Sequence, residues 1–400
     1  MRRVLHAGAK RFNWHVLTIH DFINKADQAL AKFESLVNQI QKNAKDIENR
    51  IEMMERTNLF QYPEPDYSNQ QTIENTSKSI YQNESVALPT VKEFFEKIDR
   101  ERKKDVETIT AKYRAIGPLL TKMEGLICQT NTGKSKNMAV YYKHIEKRIY
   151  DALTTMVIKN LVAFSRAINQ DKPLFQVDGL LSNPDVMLQP SINDIFKLTV
   201  QSIRDAVEVC KNFVRWMDGT CIETPAKDVP GQDEPYVFTF FDDISDNPVI
   251  HELLIQVTRR EMTGVLQNLQ KHCNHWKRFK RKWKTDMTSM MEKFAARNPS
   301  CMQYDYVLQS YLKDEQEIND QRVFFFVNCI RLNLKPLKQS VLEHAHSWLT
   351  SLGGLLNEST HNQLKALQGI SKMMDKSKRI LPRLFNLTTQ NLPIRFHFHY

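Results

Sequence analysis

The sequence predicts a mainly α-helical chain: an elongated rod of successive antiparallel helical bundles, with a small β patch near residues 214–241. Three observations predict it. Glycine accounts for only 11 of 400 residues, too few for a sheet enzyme rich in tight turns and phosphate loops. Apolar residues recur at gaps of three and four over most of the length. One such repeat, Ala26, Leu30, Phe33, Val37, Ile40, Ala44, Ile47, Ile51 and Met54, alternates the two gaps without a break. That 3.5-residue period is a coiled-coil seam, keeping one apolar stripe against a partner helix.

The first element, from about Trp14 to Met54, is therefore one long helix of about forty residues, which spans roughly 60 Å. Residues 61–90 are polar, marked by prolines and without period, and read as a flexible insertion. Two amphipathic helices follow, Val91–Ile127 and Val140–Ile168, as an antiparallel hairpin joined at Thr132-Gly133-Lys134-Ser135. Between Pro173 and Pro190 short extended pieces flank a Ser-Asn-Pro turn, and a helix spans Ile192–Phe213. The runs VRWMDGTCIE and EPYVFTFF are the best strand candidates and define the expected patch of two or three strands. Long helices are expected over Pro248–Ala296 and Asp305–Asn333. Another opens at Pro336 and stops at Gly353-Gly354, and a last one covers Leu356–Met374. The chain accordingly divides into a long bundle helix (1–60), the insertion (61–90), a helical hairpin (91–170) and a mixed segment with short strands (171–250). A helical bundle (251–380) and an irregular tail (381–400) complete it.

Composition excludes some functions and permits others. No apolar run reaches membrane-spanning length. The six cysteines lack paired spacing, and without a signal peptide they read as reduced thiols of a cytosolic compartment. The first twenty residues carry Arg2, Arg3, Lys10 and Arg11 and no acid, as a mitochondrial leader or the interior of a longer chain would. A net charge of +10 permits an acidic partner such as nucleic acid, tubulin or an anionic membrane, and names none.

Each candidate for chemistry has a structural reading beside it. The turn CQTNTGKSKN ends like a phosphate-binding loop, but the position five before Gly133 is Cys128 rather than glycine. A helix rather than a strand leads into it, so a helix–loop–helix turn is expected. His275–Lys284 packs six basic residues among Trp276, Phe279 and Trp283. Nucleic acid can use such a mixture for charge and stacking. The aromatics nevertheless share one helix face, which suits a core stripe backed by a basic solvated face. His272, Cys273 and His275, with His344 and His346, lack the paired spacings of a structural zinc site. Asp242, Asp243 and Asp246 in FFDDISDNP lack a calcium-loop glycine and read as helix-capping acids. No nucleophile elbow, zinc-protease motif, dinucleotide fingerprint or kinase signature is present. Catalytic, cofactor-binding and metal residues are therefore expected to be none, with no cofactor and no enzymatic activity.

Four stretches together resemble the tail, or N-terminal stem, of axonemal dynein heavy chains. GLICQTNTGKSKNMAVYYKHIEKRIYDAL resembles a helical tail segment with its Thr-Gly-Lys-Ser turn, the Tyr141-Tyr142 pair and Glu146. NFVRWMDGTCIETP with PYVFTFFDDISDNPVI resembles the family's signature around Trp216, Gly219, Cys221 and the Asp-Asp-Ile-Ser run, and is the most specific of the four. KPLKQSVLEHAHSWLTSLGGLL and GAKRFNWHVLTIHDFI resemble further tail helices. The match covers most of the chain in the expected order, except residues 61–90 and the last ten.

The resemblance implies a scaffold that precedes the linker and motor ring. The ATPase ring, stalk and microtubule-binding domain are then absent, and the chain is a fragment or a truncated product. It implies as partners dynein intermediate and light chains, other dynein heavy chains and docking proteins on the doublet microtubule. It places the chain in the cytoplasm, the cytoskeleton and the ciliary axoneme, with the signature leaning toward an outer-arm type. A small-molecule substrate, nucleic acid and a membrane are not expected partners. The rival reading is a stand-alone basic helical protein that binds nucleic acid or an anionic membrane surface.

Overall fold

In a computed structural model the described residues are 18–62, 87–128, 136–182, 185–280 and 284–367. They form a mainly helical chain with one four-stranded sheet. The flexible insertion (residues 63–86 of it), the Thr132–Ser135 turn and the irregular tail over 381–400 lie outside the described residues. Contacts divide the chain into two compact units, each assembled from three stretches: 1–63, 95–166 and 199–259, and then 64–94, 167–198 and 260–400.

In the first unit, helix α1 (Thr18–Arg56) carries the heptad seam, and its last heptads are in the core: Ile47, Ile51 and Met54 have no exposed surface. Helices α2 (Val91–Arg114) and α3 (Ile116–Cys128) replace the single helix expected over Val91–Ile127. Gly117 and Pro118 follow the break at Ala115, and proline inside a helix removes a donor and crowds the preceding turn. Helix α4 (Lys136–Asn169) pairs with α1 through Arg148–Glu48 at 3.3 Å and Lys159–Glu55 at 2.8 Å. The residue numbers rise together, so these two helices run parallel. Asn160 closes the end of α1. Its Oδ1 accepts from the Leu59 amide at 2.8 Å, and its Nδ2 donates to Thr57 O at 2.8 Å. Helix α5 (Ile192–Glu208) lies beside α2, where buried Arg102 donates to Ser202 O at 3.0 Å and pairs with Asp205 at 3.2 Å and with Asp99.

The second unit holds the sheet, in the order β2-β1-β4-β3, where β1 is Phe175–Ser182, β2 Asp185–Gln189, β3 Phe324–Val327 and β4 Ile330–Asn333. The β1–β2 and β3–β4 pairs are antiparallel, and β1 runs parallel to β4 from Phe175↔Ile330 to Asp178↔Asn333. Side chains stitch the parallel pair. Arg331 donates to Gln176 Oε1 at 3.0 and 2.6 Å, and Asn333 to Asp178 at 2.8 Å. This sheet corrects two expectations. The strands lie at 175–189 and 324–333 rather than at 214–241, and the helix expected over Asp305–Asn333 ends at Asn319. Asn328, at φ 53, supplies the left-handed turn residue that joins β3 to β4.

Short polar residues set most helix starts, as capping requires. Helix α6 (Phe240–Ser245) begins with a Thr239–Asp242 capping box. Asn247 caps α7 (Pro248–Ile255), with Pro248 in the first turn. The long helix expected over Pro248–Ala296 is interrupted. A π-helical stretch, Gln256–Met262, separates α7 from α8 (Thr263–Trp276), a 3₁₀ turn follows at Lys277–Phe279, and α9 spans Met287–Ala295. A Ser300–Gln303 capping box opens α10 (Cys301–Asn319), which packs antiparallel on α11 (Lys335–Leu367) around Tyr304, Leu308, Trp348, Leu349 and Leu352. Helix α11 runs through Gly353 and Gly354 instead of stopping there, because its packed face outweighs their weak propensity.

Candidate interaction site

Residues 213–240 of the first unit carry the richest set of side-chain anchors. The chain here is extended but forms no regular strand. Isolated bridges join Val214↔Thr239, Trp216↔Glu223 and Lys227↔Tyr236, each too short to propagate a ladder. Side chains supply what the backbone leaves out. The Tyr113 hydroxyl donates to Val214 O. The Tyr113 ring packs edge-on to Phe213 at 5.4 Å and stacks with Trp216 at 6.0 Å. Burial, and then the charge of Glu146, push the Tyr113 phenol far above its ordinary range, so it stays a protonated donor.

Arg215 is the hub. Its Nε donates to Glu146 at 2.9 Å, its Nη1 pairs with Asp243, and its guanidinium lies 4.9 Å from the Phe240 ring centre. One residue thus ties the extended segment to α4 and to α6. Gly219, at φ +67, lets the next turn sit directly on α4. A Cβ there would be 3.0 Å from Ala139 Cβ and 3.3 Å from Ala139 O. Lys143 meets Asp218 at 2.7 Å beside it.

A groove of about 700 Å³ opens between this segment and the α2–α3 junction. Tyr113, Arg114 and Lys122 from α2 and α3, with Trp216, Cys221 and Glu223 from the segment, line it. The phenol already has its acceptor, and burial, followed by Glu124 and Glu146, pushes the Cys221 thiol up to about 12. Met217 and Ile222, next in sequence to the lining residues Trp216 and Cys221, are exposed. The groove and the exposed apolar side chains near it offer a surface to a partner.

The other sequence candidates are dispersed. Cys128 ends α3 and Lys136 begins α4, so helices rather than a strand flank the Thr132–Ser135 turn. Trp276 and Phe279 are buried, which realises the core stripe and leaves their rings unavailable for base stacking. Lys280 pairs with Asp185 at 2.6 Å and Arg278 with Glu317 at 3.3 Å, while residues 281–283 lie outside the described residues. His272 packs on Phe325 at 4.5 Å, Cys273 is buried, and His346 Nδ1 lies 3.2 Å from Glu315. Among the described residues no group of three or more His, Cys, Asp or Glu could hold a metal ion. Asp242 serves the α6 capping box and accepts from Tyr236; Asp243 serves Arg215. The long-range anchors Tyr113 and Asn160 looked like ordinary helix residues in the sequence, and Glu146 was marked only as part of the family resemblance, not as an anchor.

Comparison with known proteins decides the family. The chain is 43% identical over 381 residues, 95% of its length, to human dynein axonemal heavy chain 10. It is 33% identical over 374 residues, 90% of its length, to the Chlamydomonas reinhardtii dynein-1-alpha heavy chain of the flagellar inner arm I1 complex. The chain belongs to the axonemal dynein heavy chain family. A third relative, the gamma chain of the Chlamydomonas flagellar outer arm, is 21% identical over 384 residues. The chain spans about 8% of the length of each. No family model matches it. An alignment over 95% of this dynein chain leaves only about twenty residues outside it, so residues 213–240 fall within the matched span.

Proposed function

We propose that this chain is a non-catalytic tail segment of an axonemal dynein heavy chain. It scaffolds dynein arm assembly and helps anchor the motor to the doublet microtubule for ciliary movement. Its partners on this reading are intermediate chains, light chains, neighbouring heavy chains and docking proteins, and its place is the cytoskeleton of the ciliary axoneme. The observation that carries the reading is the 43% identity over nearly the whole chain to one axonemal heavy chain. Packed helical seams and side-chain anchors support a load-bearing role. Buried apolar faces contribute roughly 25 cal/mol per Å² to such a structure, and charged outer faces give register and partner choice more than affinity. The greater identity to the inner-arm relative than to the outer-arm relative, 33% against 21%, favours an inner-arm type over the outer-arm leaning of the signature.

The test is a pull-down of the tagged chain from ciliary extract, with bound proteins identified by mass spectrometry. Dynein intermediate chains, light chains or other heavy chains are the expected catch. Recovery of nucleic acid or lipid alone, lost at moderate salt, overturns the reading in favour of the basic binder.

A further inference from the structure

The apolar seam of α1 changes its surroundings partway along the helix. Ile47, Ile51 and Met54 are fully buried, and Val37, Ile40 and Ala44 are half-buried. Ile23, Leu30 and Phe33 are 45%, 38% and 55% exposed. The spacing of three and four is the same throughout. A periodicity that seats one half of the helix in a core therefore continues over a half whose large side chains Ile23, Leu30 and Phe33 stand exposed. The stretch from Ile23 to Ile40 is about five turns, roughly 26 Å, long enough for a specific helix pair.

The flanks of the seam say what fits it. With Leu30 and Val37 at position a and Phe33 and Ile40 at d, position e holds Asp27 and Glu34, both exposed. Position g holds Ala29 and Leu36. An antiparallel second copy sets e against e, acid against acid. A parallel copy sets the acids against Ala29 and Leu36, with no cation to meet them. Flanking charges select the partner of a helix pair, and like charges there penalise the wrong one.

We propose that the Ile23–Ile40 face of α1 docks an amphipathic helix of another polypeptide, one with the same 3.5-residue apolar repeat and with lysine or arginine along the flank that meets Asp27 and Glu34. The argument does not use the dynein reading and stands or falls apart from it.

The probe is a fluorescent designed peptide of about four heptads with Ile and Leu at a and d, and Lys at e and g. Its control carries Glu at those flanks. Binding to the full 400-residue chain is read by anisotropy. The Lys-flanked peptide binds at least about tenfold tighter, although the chain's net charge of +10 favours the control at long range. Asp27→Lys with Glu34→Lys inverts that preference. Leu30→Ser with Phe33→Ser abolishes binding while the circular dichroism spectrum stays unchanged, since both side chains are exposed. Equal affinity for the two peptides, binding of neither, or binding that survives the serine changes overturns the proposal. So does a concentration-dependent dimer of the chain that Phe33→Ser returns to monomer.

Discussion

Two small non-helical regions of this chain solve one problem in opposite ways. The sheet at 175–189 and 324–333 pairs its backbone in a continuous ladder, which side-chain bonds from Arg331 and Asn333 reinforce. The segment at 213–240 has only isolated bridges and borrows its cohesion from Tyr113, Arg215 and Thr239. At the apolar positions of the first, residue type matters more than identity, because any apolar residue of the right size packs a pleated face. In the second, identity matters, because a specific donor must reach a specific acceptor. The difference explains why 213–240 is recognisable as a motif while the sheet is nearly anonymous in sequence.

The widest expected gap is between two glycines. Gly219→Ala meets both a left-handed backbone and the Ala139 main chain, and costs about 2–3 kcal/mol. Gly179→Ala in β1 meets the end of the buried Leu334 side chain rather than a backbone, and costs about 1–2 kcal/mol. Urea unfolding measures both; equal costs collapse the contrast. Two buried cysteines localise the effect, because burial pushes the Cys210 and Cys329 thiols up to about 12. Cys210 accepts from the Phe213 amide at the start of the anchored segment, and Cys329 lies in the β3–β4 turn. Gly219→Ala raises native-state thiol labelling of Cys210 about thirtyfold or more and leaves Cys329 within about twofold, as separate local openings require.

Conservative exchanges should divide the same way at smaller size. Arg215→Lys keeps the charge but cannot reach Glu146 and Asp243 together, and loses about 2 kcal/mol. Leu332→Ile, at a fully buried strand position, costs less than about 1.5 kcal/mol. If the leucine exchange proves the costlier of the two, the sheet is the more particular region and the comparison is reversed.

The smallest effect concerns the sheet's exposed charge. A hydrogen bond from Lys280 holds the Asp185 carboxyl below its ordinary value of 3.8. Unfolded Asp185 therefore takes up its proton at higher pH than the folded residue. The contribution is present above pH 3.8 and is lost as pH falls through the depressed value. Lys280→Ala should leave stability at pH 7 nearly unchanged, since exposed pairs contribute little, and should flatten only the acid limb of a pH–stability curve. A loss at pH 7 as large as that of Arg215→Lys would show the pair to be structural.

Helices were legible wherever an apolar face persisted. The span read as Trp14–Met54 is α1 at Thr18–Arg56, and Val140–Ile168 is α4 at Lys136–Asn169. The extended pieces at 173–190 became β1 and β2. The hairpin at 324–333 was missed because Phe324–Val327 is a dense apolar run, which lacks a decisive period. The alternation Ile330-Arg331-Leu332-Asn333-Leu334 and Asn328, a residue tolerant of positive φ, were the available signals. The aromatic runs at 214–241 read as strands for the same reason strands do, since aromatic and β-branched residues suit extended backbone. Whether such a backbone pairs with a neighbour is decided by residues a hundred positions away, such as Tyr113, and local pattern does not carry that information.

The π turn between α7 and α8 has a consequence for the length of the gene. Such a turn is what a helix becomes when one residue is inserted and both flanks keep their packing. Removing one residue here, Arg259 for instance, should relax the widened turn into ordinary α-helix. The same deletion inside α8 would rotate everything beyond it by about 100° and carry Leu269, Cys273 and Trp276 out of the core. The reading frame of this helical stretch thus has one place where a codon can be gained or lost without moving the rest.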